Sequence, residues 1–173
     1  MIVFAVLALA FLVAWLVPSR EGRRPARDAA RVAMAVAMVF AGVSHFLMPL
    51  PFVQHLPEFV PYREAVIYAT GVLEVLFGIG LFGPRRHRPA VALALVAYLV
   101  AVFPANVYVA VAGVPIDGVG QAQQFLSGYA RLPFQAVYIA WALGSVPGAR
   151  EVARRLGNRL RGVARSPGQH VAG

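Results

Sequence analysis

One carboxylate, Glu74, lies near the middle of an apolar stretch, Ile67–Phe82 (IYATGVLEVLFGIGLF). At mid-membrane depth a carboxylate costs about 2.5–3.5 kcal/mol on insertion scales, so it must face a protein interior or a wet cavity and find a partner there. His45, Asn106 and Gln135 interrupt other apolar stretches in the same way, and Arg131 stands at the head of the last one. Histidine exchanges a proton near neutral pH and can also ligate a metal or haem. An acid, an imidazole, a guanidinium and two carboxamides could together bind and protonate a polar head group in apolar surroundings. The same residues also admit a purely structural role. Glu74 would then be protonated or paired with an arginine, His45 a satisfied core residue, and Arg131 a side chain reaching up to the lipid headgroups.

The segments that carry these residues are helices by pattern. On the helical repeat Ile67, Thr70, Gly71, Glu74, Gly78 and Leu81 share one face, and its small residues let another helix approach closely. Met38, Ala41 and Gly42 share the face of His45. Asn106 follows Pro104, which lacks an N–H and crowds the preceding turn, so the helix should kink there. Asn106 then either satisfies a carbonyl freed by the kink or lines a cavity that the kink opens. Arg131, Gln135, Tyr138, Ala142 and Ser145 form one stripe, with Pro133 suited to a helix's first turn. Arg131 is the best-placed arginine to partner Glu74 if the two helices are neighbours. By rise per residue, His45, Asn106 and Gln135 lie roughly 5–10 Å below one membrane boundary and Glu74 about 12–15 Å below it. The spacing therefore predicts one buried polar pocket, made of His45, Glu74, Asn106, Arg131 and Gln135, in the outer half of the membrane.

The composition fits that setting. The chain of 173 residues is 60% hydrophobic and 13% charged, with mean hydropathy +0.68. A soluble domain carries about a quarter charged residues. There is no cysteine, which excludes disulfides, thiol redox motifs and thiolate metal or cluster sites. No hydrolase, dinucleotide or P-loop motif is present. His45 and His55 do not have a recognised metal-ligand spacing, so no metal site is expected.

Five spans are expected: Ile2–Val17, Val32–Met48, Ala65–Phe82, Ala90–Ala112 and Leu132–Val146. The connections are the polar segment Ser19–Arg31, a proline- and aromatic-rich loop after Met48, the basic turn Gly83–Pro89 and a loop over Gly113–Ala130. No basic residue precedes the first span and no small-residue cleavage site follows it, so it reads as a retained helix. All basic residues are arginine, and alternating the spans puts 14 of the 16 on one side. The positive-inside rule then orients the N-terminus outside and the tail in the cytoplasm of a multi-pass plasma-membrane protein. That asymmetry also accounts for the net charge of +9 without nucleic acid. In the tail, Val152, Leu156, Leu160 and Val163 recur at helical spacing among six arginines. The tail is either an amphipathic helix on the anionic leaflet or a solvated, disordered segment.

In order and spacing, GVSHFLMPLPFVQHLPEFVP, GVLEVLFGIGLFGPRRHRPA, VFPANVYVA and RLPFQAVYIAW together resemble the DoxX-like membrane proteins over residues 31–147. The resemblance implies an all-α, four-helix transmembrane bundle (19–148), to which this chain adds a further N-terminal transmembrane helix (1–18) and an arginine-rich tail (149–173). Relatives include a subunit of a thiosulfate:quinone oxidoreductase and proteins of oxidative-stress complexes, and more distant ones act in membrane-protein assembly. His45, Glu74, Pro104, Asn106, Arg131 and Gln135 fall on the matching motifs. Without cysteine, a redox role would need a quinone, a haem or a partner subunit. Two functions follow as expectations. One is a redox-associated membrane subunit that binds a quinone-like ligand, with haem the lesser candidate. The other is a non-enzymatic scaffold or assembly factor for a partner membrane protein. Permeation of small molecules is a weaker third, since no internal repeat is present.

Overall fold

The computed structural model describes residues 2–17, 25–112 and 121–164, with the side chains at 25, 112, 121–128, 130–131 and 159–164 outside the described set. Among the described residues the chain is all helical, in the order α1 (Ile2–Leu16), α2 (Pro25–Leu47), α3 (Pro49–Val53), α4 (Arg63–Phe82), α5 (Arg88–Ala112), α6 (Gln121–Ser145) and α7 (Ala149–Ala164). Three stretches are long and apolar enough to cross a membrane: Ala26–Leu47, Arg63–Phe82 and Arg88–Val111. Their outward side chains, Leu73, Leu76, Ile79 and Val100 among them, are apolar and exposed. The protein is a membrane protein. Helix α1 is apolar but shorter, at 15 residues.

Two helices begin earlier than hydropathy predicts. Helix α2 starts at Pro25 rather than Val32, so half of the expected polar connection is helical. Proline suits a first helical turn, and Asp28 in that turn complements the helix dipole. Arg31, only 5% exposed, donates from Nη1 to the Leu81 carbonyl at 2.7 Å and also pairs with Asp28. It therefore caps the end of α4 from within the protein. Helix α6 starts at Gln121 rather than Leu132, and Pro133 lies inside it instead of in its first turn. The added turns carry three glutamines and two alanines, good helix formers, and with Ser127 and Arg131 the stretch is too polar to read as a span. At the basic turn Arg88 donates from Nε to the Gly83 carbonyl at 2.8 Å, satisfying another helix end. The tail takes the helical alternative as α7, with Val152 and Leu156 exposed and Ala149 buried.

Helix α2 is the centre of the packing and meets α1, α4 and α6. Its Ala33, Met34, Ala35, Ala37 and Met38 are buried. The predicted face of α4 supplies all four of that helix's buried residues, Ile67, Gly71, Gly78 and Leu81. It lies on α2 so closely that a Cβ on Gly42 would sit 2.5 Å from the Gly71 carbonyl oxygen. A Cβ on Gly78 would sit 2.7 Å from the Ala35 oxygen. Helix α1 is held by fully buried Leu7 and by two aromatic contacts to α6, Phe4–Phe134 at 4.5 Å and Phe11–Trp141 at 5.4 Å. Trp141 in turn donates its indole N–H to the Ala30 carbonyl at 2.8 Å, tying α6 to α2.

Candidate functional site

Glu74 projects from α4 beside the α2 seam, and its side chain is only 13% exposed. Its partner is Tyr98 of α5, whose hydroxyl donates to Glu74 Oε1 at 2.8 Å. His45 Nδ1 lies 3.9 Å from Oε2, close enough for electrostatic attraction when the imidazole is charged but too far for a hydrogen bond. Oε2 is buried without a hydrogen-bond partner among the described residues. Thr70, one turn before Glu74, gives its hydroxyl proton to the Ile67 carbonyl at 2.8 Å. Towards His45 Nδ1, 3.5 Å away, it therefore acts as an acceptor. The short helix α3 sets Phe52 edge-on against the His45 ring at 4.1 Å. The result is a carboxyl, a phenol, an imidazole and a hydroxyl drawn together from three helices.

A second polar chain joins α5 and α6. Asn106 Nδ2 donates to Gln135 Oε1 at 3.1 Å, and Gln135 Nε2 donates to the Leu99 carbonyl at 2.5 Å. Leu99 lies in the turn before Pro104, where the missing N–H of proline loosens the backbone ladder. The sequence offered Asn106 as the group that satisfies a carbonyl freed by Pro104, which by the i−4 rule is that of Val100; Asn106 instead donates to Gln135, and Gln135 bonds the neighbouring Leu99 carbonyl. Gln135, Ala142 and Ser145 of the predicted α6 stripe are buried.

Both polar groups line one cavity of about 540 Å³. His45, His55, Thr70, Glu74, Tyr98, Asn106, Gln135 and Tyr138 contribute the polar part of its wall, and apolar side chains contribute most of the rest. Four of the five residues singled out in the sequence thus border the same space. The fifth, Arg131, has its side chain outside the described residues, and the pairing with Glu74 expected of it lies outside them too; among the described residues the hydrogen-bond partner of Glu74 is Tyr98.

Tyr98 is the residue that sequence reasoning missed. A signal existed: Tyr98, Ala101, Val102, Ala105 and Asn106 follow the i, i+3, i+4, i+7, i+8 pattern of one helix face. That face is the one that borders the cavity. Phe4 of α1 also lines it, so the N-terminal helix supplies part of the wall. Among the described residues no group of three or more His, Cys, Asp or Glu could hold a metal ion.

The profile of a family described as a domain of unknown function (DUF8561) matches residues 34–146, from within α2 to the end of α6. The chain belongs to that family. No curated protein and no solved structure matches it.

Proposed function

We propose that this DUF8561 protein is a membrane-embedded binding subunit for a quinone-like amphiphile, acting in association with redox chemistry. The observation that carries the reading is the cavity of about 540 Å³ with Glu74, Tyr98, Thr70 and His45 gathered on its wall. Its volume falls within the range of about 300–1,000 Å³ usual for small-molecule sites, and so does its makeup of apolar walls with a few convergent polar groups. A quinone ring would place its carbonyl oxygens toward N–H and O–H donors, which His45 and Tyr98 carry. A quinol would turn its hydroxyls to acceptors, which Glu74 carries. His45 is the group suited to exchange a proton near neutral pH. The likeness of four motifs to DoxX-like proteins leads to the same ligand class.

In this reading α1 and α6 join the three long apolar helices as spans, giving a four-helix bundle with one additional N-terminal helix. The arginine asymmetry supports an orientation with the N-terminus outside the plasma membrane and α7 in the cytoplasm. The cavity then lies in the outer half of the bilayer. A carboxy-terminal green fluorescent protein fusion should fluoresce, and an alkaline phosphatase fusion at the same point should be inactive. The opposite pair of results would invert the orientation.

The experiment that tests the binding reading is mass spectrometry of the organic extract of protein purified in mild detergent, with an absorption spectrum and a quinone titration. A quinone at near one-to-one stoichiometry, lost in Glu74→Gln, supports it. A blank extract with no titratable binding overturns it. That result favours the second reading, a scaffold or assembly factor for a partner membrane protein. The closeness of the α2–α4 seam and the satisfied Oε1 of Glu74 are the observations that favour a structural role for the acid.

A further inference from the structure

The route to the cavity can be read from the way α4 and α5 part. Where they join at the basic turn they pack tightly. A Cβ on Gly80 would sit 3.0 Å from Val91, and the Phe77 and Tyr98 rings are 5.4 Å apart. Further along, the Tyr98 hydroxyl meets Glu74 and, one turn beyond, Thr70. Toward the other end, Val66, Ile67 and Thr70 of α4 and Ala101, Val102 and Ala105 of α5 border the cavity. Val66 and Ala101 border it and are also exposed at the protein surface. Both lie within helices apolar enough to cross a membrane, so that surface faces acyl chains rather than water.

The gap is therefore graded. It is aliphatic at the lipid side, where valine and alanine offer no hydrogen bond. It is polar where Thr70, Tyr98 and Glu74 meet. A polar ligand from water gains nothing from the outer part of such a slot, and a plain acyl chain would leave the inner groups unpaired. A molecule with a compact polar head and one long apolar chain matches both parts.

We infer that the slot between α4 and α5 is a lateral portal, through which a lipid-phase amphiphile sets its polar head beside Glu74, Tyr98 and Thr70 and leaves its single apolar chain between Val66 and Ala101. The inference rests on the ligand-binding reading of the cavity and adds to it the ligand's source and shape. The head is held inside; the chain is held at the mouth and continues into the bilayer. Widening Ala101 blocks the chain's path without touching the groups that hold the head.

The test uses the full chain in nanodiscs and two probes that share one ring, 2,3-dimethoxy-5-methyl-1,4-benzoquinone, with and without a ten-carbon chain. Ala101→Trp should weaken binding of the chain-bearing quinone at least tenfold and change the chainless one less than twofold. Ala101→Leu, the gentler change if tryptophan prevents folding, should show the same selectivity at about threefold. Val100→Trp, one position round the helix on the lipid-exposed face, should affect neither probe. If wild-type protein binds both probes and Ala101→Trp or Ala101→Leu leaves the pair unchanged or weakens them equally, the portal is wrong and the site stands. If wild-type protein binds neither probe, the binding reading fails and the portal with it.

Discussion

Replacing Tyr98 by phenylalanine removes one oxygen and keeps the ring that packs 5.4 Å from Phe77. The loss falls on Glu74, because the Tyr98 hydroxyl is the donor to Oε1 at 2.8 Å and Oε2 has no hydrogen-bond partner among the described residues. Hydrogen bonds between helices in membranes average about 0.6 kcal/mol and reach about 1.7. This one belongs near the top of that range, because the carboxyl is almost fully enclosed and no second donor replaces the first. Tyr98→Phe should therefore destabilise the protein by about 1.5 kcal/mol, nearly the full cost of leaving a buried acceptor unpaired. In a Glu74→Leu background the hydroxyl has lost its acceptor, and the same change should be close to neutral. The assay is a double-mutant cycle: reversible unfolding by SDS titration in mixed micelles, followed by the fluorescence of Trp15 and Trp141. The expected coupling is about 1–1.5 kcal/mol. Equal costs of Tyr98→Phe in the two backgrounds, within about 0.3–0.5 kcal/mol, would mean that the hydroxyl does not act through Glu74 and that the polar group is misread.

Gly42→Ala should cost about 1–3 kcal/mol in the same titration, since its Cβ would lie 2.5 Å from the Gly71 oxygen and 2.9 Å from the Val75 nitrogen, both backbone atoms that move only if the helices separate. A neutral result would show that the α2–α4 seam is looser than described. Gln135→Leu leaves the Leu99 carbonyl and the Asn106 amide without their partner and should destabilise by about 1–2 kcal/mol in the same titration; an unchanged midpoint would show that this polar chain is not holding α5 to α6. In α7 the hydrogen bond from Arg155, with the charge of Arg154, holds the Glu151 carboxyl below its ordinary value of 4.5. A lowered folded pKa means that the contribution of these pairs is complete above 4.5 and fades as pH falls through the lower value. A nitroxide on a cysteine at Asn158 should keep one spectrum from pH 7 to 5 and gain mobility only in more acid solution, and Glu151→Gln should abolish that change; a transition above pH 4.5 would contradict the pairing.

Much of the site was legible because its signals are local. The face from Ile67 to Leu81 combines glycines, a threonine and an acid at helical spacing, and this pattern alone demands a close neighbouring helix. The unread parts are of two kinds. Helix starts were missed where hydropathy stops tracking helicity: the segment from Pro25 to Arg31 and the turns from Gln121 are helical but polar, and a search for lipid-contacting residues passes over them. Partners were missed where the partner is remote. Arg31 reaches a carbonyl 50 positions away and Tyr98 an acid 24 positions away, and no local pattern marks either link. Arginine was the natural choice of partner for Glu74 by charge. The fold gives Oε1 of that acid a phenol from α5, which packs beside α4, and the Arg131 side chain lies outside the described residues.

The N-terminal helix changes how the family match should be understood. The matched segment begins at residue 34, yet Phe4 packs against Phe134 at 4.5 Å, approaches Tyr138 at 6.5 Å and borders the cavity with them. Leu7, one turn further on, is fully buried in the same core cluster as Met34 and Met38. A chain cut to the matched residues would expose these α6 aromatics and remove the part of the cavity wall that Phe4 supplies. The matched segment supplies the hydrogen-bonding groups, and α1, lying outside it, supplies apolar wall to the same cavity through Ile2, Val3 and Phe4.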